Sequence, residues 1–226
     1  MDIGDIVGDA IRYPMQDWKK VIILGIISII SFLIIPVFLG LGYFLRIIKA
    51  TIAGSDELPE FDEWGDMLKD GFKVFIVEFV YFIIPAIIII IGMWAAIIPF
   101  ATMQGPDVAV STAAFGLIGG VALIGIIIAI IIGLIATIAI VNMAYYDGEI
   151  GAAFRFSEIM DHISRIGWAD YIIWYIVMII ISIVIGIVAA ILNVLIIGII
   201  ITPLIIAPFA QMFYARSLAL LFASSE

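Results

Sequence analysis

The sequence predicts an all-α fold, a polytopic helical membrane bundle of five to six membrane segments with amphipathic helices at its edges. The first observation behind this is the stretch 168–222, which holds 55 residues and only two charged side chains, Asp170 and Arg216. At about 1.5 Å of rise per residue it makes roughly 80 Å of helix, enough to cross a hydrocarbon core of about 30 Å twice. The second is that three further apolar runs precede it, at 21–44, 74–100 and 113–144. The third is composition: 226 residues, 65% hydrophobic and 13% charged, with a mean hydropathy of +1.32.

The longest polar stretch, 54–73, has 20 residues. That is too few for a self-sufficient soluble core, so residues 1–226 read as a single integral membrane domain. Net charge is −9, with 19 acidic residues against 10 basic ones. No basic footprint for nucleic acid is present. Cysteine is absent, which removes disulfides, thiolate metal sites and thiol catalysis. Asp2, Asp5 and Asp9 precede the first cation, the wrong sign for a cleavable signal, so the first apolar segment is expected to stay in the mature protein.

Residues 2–13 form the first amphipathic helix. Ile3, Ile6, Val7, Ala10 and Ile11 recur at helical spacing opposite Asp2, Asp5, Asp9 and Arg12. Pro14 ends it, and Asp17 caps a helix anchored at a headgroup boundary by Trp18, Lys19 and Lys20. The membrane segment 18–53 is interrupted at Pro36, and reads either as one crossing or as a short hairpin with arms of about 27 Å each. An interfacial helix is expected over 60–71, with Pro59 at its start, turning into the bilayer near Gly71. The next span is 73–98, kinked at Pro85. A loop at 99–112 carries one charge, Asp107. The segment 113–144, at 32 residues, exceeds a single crossing. A further interfacial helix covers 149–166, with His162 on its polar side, and Gly167 ends it. Spans at 168–192 and 194–215 close the chain, their turn near Asn193.

A weak repeat of interfacial helix, glycine–aromatic pair, span with an early acid, and tyrosine exit links Gly71–Phe72, Glu78 and Tyr145 to Gly167–Trp168, Asp170 and Tyr214. Such repeats occur in transporter folds. Equally, any interfacial helix that feeds a span needs a small residue and an aromatic anchor. All ten Lys and Arg fall in the N-terminal segment, the connections 46–73 and 147–167, and Arg216. Positive-inside bias therefore puts those connections and the C-terminus in the cytoplasm of a cell bearing this protein in its cytoplasmic membrane. The hairpin reading adds the N-terminal cations to the same side.

The stretch 42–85, GYFLRIIKATIAGSDELPEFDEWGDMLKDGFKVFIVEFVYFIIP, with Tyr13–Pro14 and the Trp-Lys-Lys at 18–20, resembles the hallmark segment of a family of archaeal multi-pass membrane proteins of unknown function. The resemblance implies a multi-pass protein of about six helical segments. In layout the chain is also similar, more distantly, to the membrane portions of bacterial glycerophosphodiester phosphodiesterases. Their chemistry lies in a soluble domain absent here, so no catalytic residue carries over.

Residues with chemical potential are few. Glu78, about five residues inside its span, is the foremost candidate for a functional intramembrane carboxylate. Alternatively it reaches the headgroups or pairs with Arg46, Lys49 or Arg216. Asp170 reads as a cap or boundary anchor. Arg216 either pairs inside the bundle or marks the helix exit beside Tyr214, the latter being favoured. Gly116 and Gly120 form a small-xxx-small pair for helix packing, within the chain or between copies. The carboxylates at 57, 60, 62, 63, 66 and 70 read as a solvated face rather than a cation site. No catalytic set, cofactor motif or metal-ligand group is found. The expected partners are the lipid bilayer and, through it, a homo-oligomer or membrane complex, with no nucleic acid. The leading function is a non-catalytic scaffold, assembly or envelope-organising protein. A small transporter or channel using Glu78 is the alternative, and a lipid-modifying enzyme comes third.

Overall fold

The computed structural model describes residues 2–101 and 108–225. Among these the regular structure is helical and no strand occurs. In order come α1 (Ile3–Met15), α2 (Trp18–Ile29), a 3₁₀ turn (Ile30–Leu33), α3 (Ile35–Ile52), α4 (Trp64–Ala101) and α5 (Val108–Tyr145). A second 3₁₀ turn (Ile150–Phe154), α6 (Phe156–Ile166), α7 (Trp168–Val194) and α8 (Gly198–Ile201) follow. A π-helical segment (Thr202–Ile206) then joins α8 to α9 (Ala207–Ala223). Among the described residues, five stretches are long and apolar enough to cross a membrane: Ile35–Ile52, Trp64–Trp94, Gly119–Tyr145, Trp168–Val194 and Gly198–Ala223.

The segment 18–53 is a hairpin. Asp17 caps α2 by accepting from the backbone N–H groups of Lys19 and Lys20. The helix then tightens and breaks at Ile34, which takes φ 70° and ψ −53°, the strained γ-turn conformation. Pro36 does not make this break. It sits in the first turn of α3, where its missing N–H would have no helical partner anyway. Both outer ends of the hairpin reach one loop: Lys20 Nζ donates to the Leu58 carbonyl at 2.7 Å and Tyr43 Oη to that of Pro59 at 3.0 Å.

The expected helix over 60–71, starting at Pro59 and turning at Gly71, is corrected. Residues 55–63 are irregular, and one uninterrupted helix begins at Trp64. Gly71 is a contact rather than a corner. A Cβ there would collide with the Phe38 carbonyl of α3, and one on Gly42 would collide with the Met67 carbonyl of α4. The two helices therefore cross backbone to backbone, with Phe38 packed edge-on to Phe72 and Phe75. Gly167, in contrast, takes φ +93° and does separate α6 from α7. The two halves of the apparent repeat thus enter their spans differently.

The loop expected at 99–112 shrinks from both sides, since residues 99–101 extend α4 and 108–112 begin α5; Asp107 lies outside the described residues. The last turn falls at 195–197, just beyond Asn193, with Ile196 at φ 65°. In α6 the buried stripe is Ile159, His162 and Ile163, so His162 is not on the polar side. It packs on Phe222 at 4.3 Å between ring centroids, with Arg165 Nη2 3.3 Å from its Nδ1.

The chain clusters into two compact units, Met1–Val77 with Thr137–Glu226, and Glu78–Ala136. In the first, α9 is central and is packed against by α1, α2 and α3. Pro208 has no N–H to offer the Leu204 carbonyl, and a Cβ on Gly25 of α2 would strike that carbonyl, so α2 lies directly on the interrupted turn. Tyr13, Tyr43, Tyr171 and Phe222 are the largest fully buried side chains of this unit. In the second unit α4 and α5 meet at Gly92, whose Cβ would strike Val121, and Gly125, whose Cβ would strike Ile89.

Candidate functional site

The loop at 55–63 joins α3 to α4 with no helical or sheet ladder to satisfy its backbone. Side chains of four helices do so instead. From α1, Tyr13 Oη donates to the Glu57 carbonyl at 3.0 Å. From α2, Lys20 Nζ holds Leu58, and from α3, Tyr43 Oη holds Pro59. Arg46 of α3 spreads its guanidinium over the carbonyls of Glu60, Asp62 and Glu63 at 3.2, 2.8 and 3.1 Å. From α9, Arg216 Nη1 donates to Ser55 at 2.7 Å. Glu63, at φ 44°, is fixed by this grip immediately before α4 begins. Phe61 stacks on Tyr43 at 4.1 Å and an interplanar angle of 9°.

Carboxylates surround the same cations. Lys20 pairs with Glu60 at 2.7 Å, Arg46 with Asp62 at 3.0 Å, and Lys49 bridges Asp70 and Asp147 at 3.1 and 3.2 Å. Arg216 is the most enclosed of them. Its side chain is 4% exposed, with Nε on Asp9 at 2.8 Å, Nη2 on Asp56 at 2.6 Å and the Tyr13 ring 4.8 Å from its guanidinium carbon. The favoured reading of Arg216 as an exit marker is therefore corrected, because α9 continues unbroken to Ala223 and buries residues 215–219. The arginine joins the N-terminal helix, the α3–α4 loop and the last helix.

Of the other sequence candidates, Glu78, Gly116 and Gly120 belong to the second compact unit. Glu78 stands on α4 with no ion pair among the described residues, and the cations considered as its partners are engaged elsewhere. Asp170 lies exposed in the first turn of α7, where helix polarity favours an acid. It helps line a cavity of about 330 Å³ with Asp2, Ile6, Leu221 and Ser224. Among the described residues a Cβ on Gly116 or Gly120 would meet nothing within 4 Å, and the close contacts seen between α4 and α5 are at Gly92 and Gly125. Among the described residues no group of three or more His, Asp and Glu could hold a metal ion.

Sequence reading passed over Tyr13, Asp9, Asp56 and Asn142. Asn142 is fully buried on α5 and donates to the Ala152 carbonyl at 2.9 Å, while its Oδ1 is unpartnered. The only signals for the clamp were the two tyrosines that begin hydrophobic-to-polar transitions, Tyr13 and Tyr43.

Burial pushes the Tyr13 phenol up from its ordinary 10 to about 12. The charged form of a phenol is the anion, so the folded state keeps a proton that the unfolded chain releases first. Its contribution is intact below pH 10 and is lost as pH rises from about 10 through about 12. Wild type is thus expected to lose about 1–3 kcal/mol over that window relative to Tyr13→Phe. Thermal unfolding at stepped pH reads this directly, and parallel pH profiles of the two proteins would contradict it.

Comparison with known proteins adds a family. A family model described as a protein of unknown function (DUF4013) matches residues 23–194, which include the whole clamp loop. An uncharacterized archaeal protein from Methanocaldococcus jannaschii is 32% identical over 62 residues, covering 26% of this chain and 22% of that protein. The chain thus matches about a fifth of that relative's length. No solved structure matches.

Proposed function

Because this chain belongs to the DUF4013 family, whose description carries no activity to transfer, we propose its role from geometry: it is a non-catalytic membrane scaffold or assembly subunit. One observation carries this reading. The charged side chains clustered at the α3–α4 loop are spent on the protein's own backbone and on each other, as the seven carbonyls held at 55, 57–60, 62 and 63 attest. Such a layer fixes helix positions and, among the described residues of the loop, leaves no convergent polar set aimed at a substrate. Exposed apolar helix supports the same reading, since only 6% of the most apolar window of α7 is buried. That surface faces lipid or a lateral partner.

Positive-inside bias favours the clamped layer, with the connections 46–73 and 147–167 and the C-terminus, on the cytoplasmic face of an archaeal cytoplasmic membrane. The hairpin at 18–53 brings Lys19 and Lys20 to that side.

Transport through Glu78 is the second reading, favoured by an intramembrane carboxylate with no ion pair among the described residues. Flux assays in proteoliposomes separate the two. The scaffold reading expects no proton- or sodium-dependent flux from wild type, and a photo-crosslinker at Ile180 of α7 that captures a protein at fixed stoichiometry in native membranes. A flux present in wild type and lost in Glu78→Gln would replace it with transport.

A further inference from the structure

Among the described residues, eight of the ten cations are ion-paired, and the two that are not are Arg12 and Lys19. Both are exposed, and both lie at the corner where α1 gives way to α2. Neighbouring carboxylates are committed elsewhere. Asp9, one turn before Arg12, holds Arg216, and Asp17 caps α2. In a chain of net charge −9, two uncommitted cations flanking one helix corner invite an anion from outside the protein.

The same corner opens on a wholly apolar groove of about 370 Å³. Ile11 and Met15 of α1, Phe209 and Phe213 of α9, and Ile181 and Ile185 of α7 line it. Arg12 flanks the Ile11–Met15 stripe at adjacent and one-turn spacing. Lys19 follows Trp18, whose ring meets that of Phe209 at 6.3 Å. From Phe213 back to Ile205, another lining residue, the groove follows α9 for about 12 Å at 1.5 Å per residue. It therefore runs from the polar layer toward the apolar interior. The π-helical segment at Thr202–Ile206 forms its inner end, where the widened turn sets Ile205 off the α-helical register.

We propose that this corner is a binding site for an anionic membrane lipid, with the phosphate of the headgroup between Arg12 and Lys19 and one hydrocarbon chain in the groove. Trp18 then lies at the headgroup boundary, where an amphipathic ring is at home. Charge complementarity selects the occupant: a zwitterionic lipid would fill the groove but leave two cations uncompensated. The proposal stands independently of the scaffold reading.

Native mass spectrometry of the full-length protein, loaded with equimolar dioleoylphosphatidylglycerol and dioleoylphosphatidylcholine, tests it. Wild type is expected to retain the anionic lipid with roughly 30-fold preference, as two cations at about 1 kcal/mol each provide. Arg12→Gln with Lys19→Gln should bring the two lipids to parity, and both positions are exposed enough for the variant to fold. Met15→Trp, which puts a larger side chain in the groove lining, should lower retention of both. No preference in wild type, or a preference that survives in the double glutamine variant, would overturn the site. Displacement of the lipid by glycerol 3-phosphate at matched concentration would overturn it too, by showing an anion site that makes no use of the groove.

Discussion

Replacing Arg216 with alanine is expected to lower the thermal unfolding midpoint by roughly 5–15 °C, corresponding to about 2–4 kcal/mol. The guanidinium is almost fully enclosed and makes four hydrogen bonds to two segments far from it in sequence, at Asp9 and at Thr51, Ser55 and Asp56. Its removal leaves the Ser55 carbonyl without its donor, uncovers the face of Tyr13 and opens a void the size of the side chain. The two carboxylates are not equivalent to the arginine. Asp9 and Asp56 have side chains 42% and 84% exposed, so water compensates either one when its partner goes. Asp9→Asn and Asp56→Asn should each cost no more than about 1 kcal/mol. Arg216→Lys should recover less than half of the loss, because one ammonium cannot reach acceptors spread around a planar fork. If Arg216→Ala unfolds within a degree or two of Asp56→Asn, the arginine is not the tie between these segments.

That asymmetry explains why the spans were legible and the clamp was not. Hydropathy alone locates apolar runs, and all five long apolar helices fall on them. The hairpin was legible too, as one of two readings, because cation placement registers which ends of a helix share a side. Backbone carbonyls have no letter in the sequence, however, and the clamp is built on them. Arg216 and Asp9 are 207 positions apart. Tyr214, two residues before Arg216, gave the stronger local signal and pointed to an exit. His162 failed for another reason. Its spacing from Ile159 and Ile163 is that of one helix face, but polarity placed it opposite them. Gly71 was read by the commonest use of glycine, a turn, where the structure uses its missing Cβ. Gly116 and Gly120 matched a packing spacing, while the close glycine contacts described between α4 and α5, at Gly92 and Gly125, sit opposite valine and isoleucine rather than each other.

The loop's clamp and the helix crossing below it are coupled, which sets the second large expectation. Gly71→Val should cost at least about 3 kcal/mol and release the α3–α4 loop. The new Cβ would collide with the carbonyl of Phe38, with the Phe38 carbonyl carbon at 2.6 Å and the Gly42 nitrogen at 2.8 Å from it. Neither atom belongs to a side chain that can rotate away, so α3 and α4 must separate. Separation acts on the bonds that depend on the same spacing. Lys49 on α3 pairs with Asp70 on α4 at 3.1 Å, and Arg46, one turn beyond Gly42, grips the loop up to Glu63, the residue before α4. Gly71→Ala should already be damaging, because the first carbon added is the one that collides. Gly8→Ala in α1 and Gly65→Ala in α4 are the controls. Both glycines are helical with nothing within 4 Å of a Cβ, so alanine there should be neutral or stabilising by up to about 1 kcal/mol. Limited proteolysis between residues 55 and 63, run beside thermal unfolding, separates a released loop from a general loss of stability. Cleavage there should appear in Gly71→Val well below its unfolding midpoint and be absent from the alanine controls. Cleavage that begins only at the midpoint would mean that the crossing and the clamp are held independently.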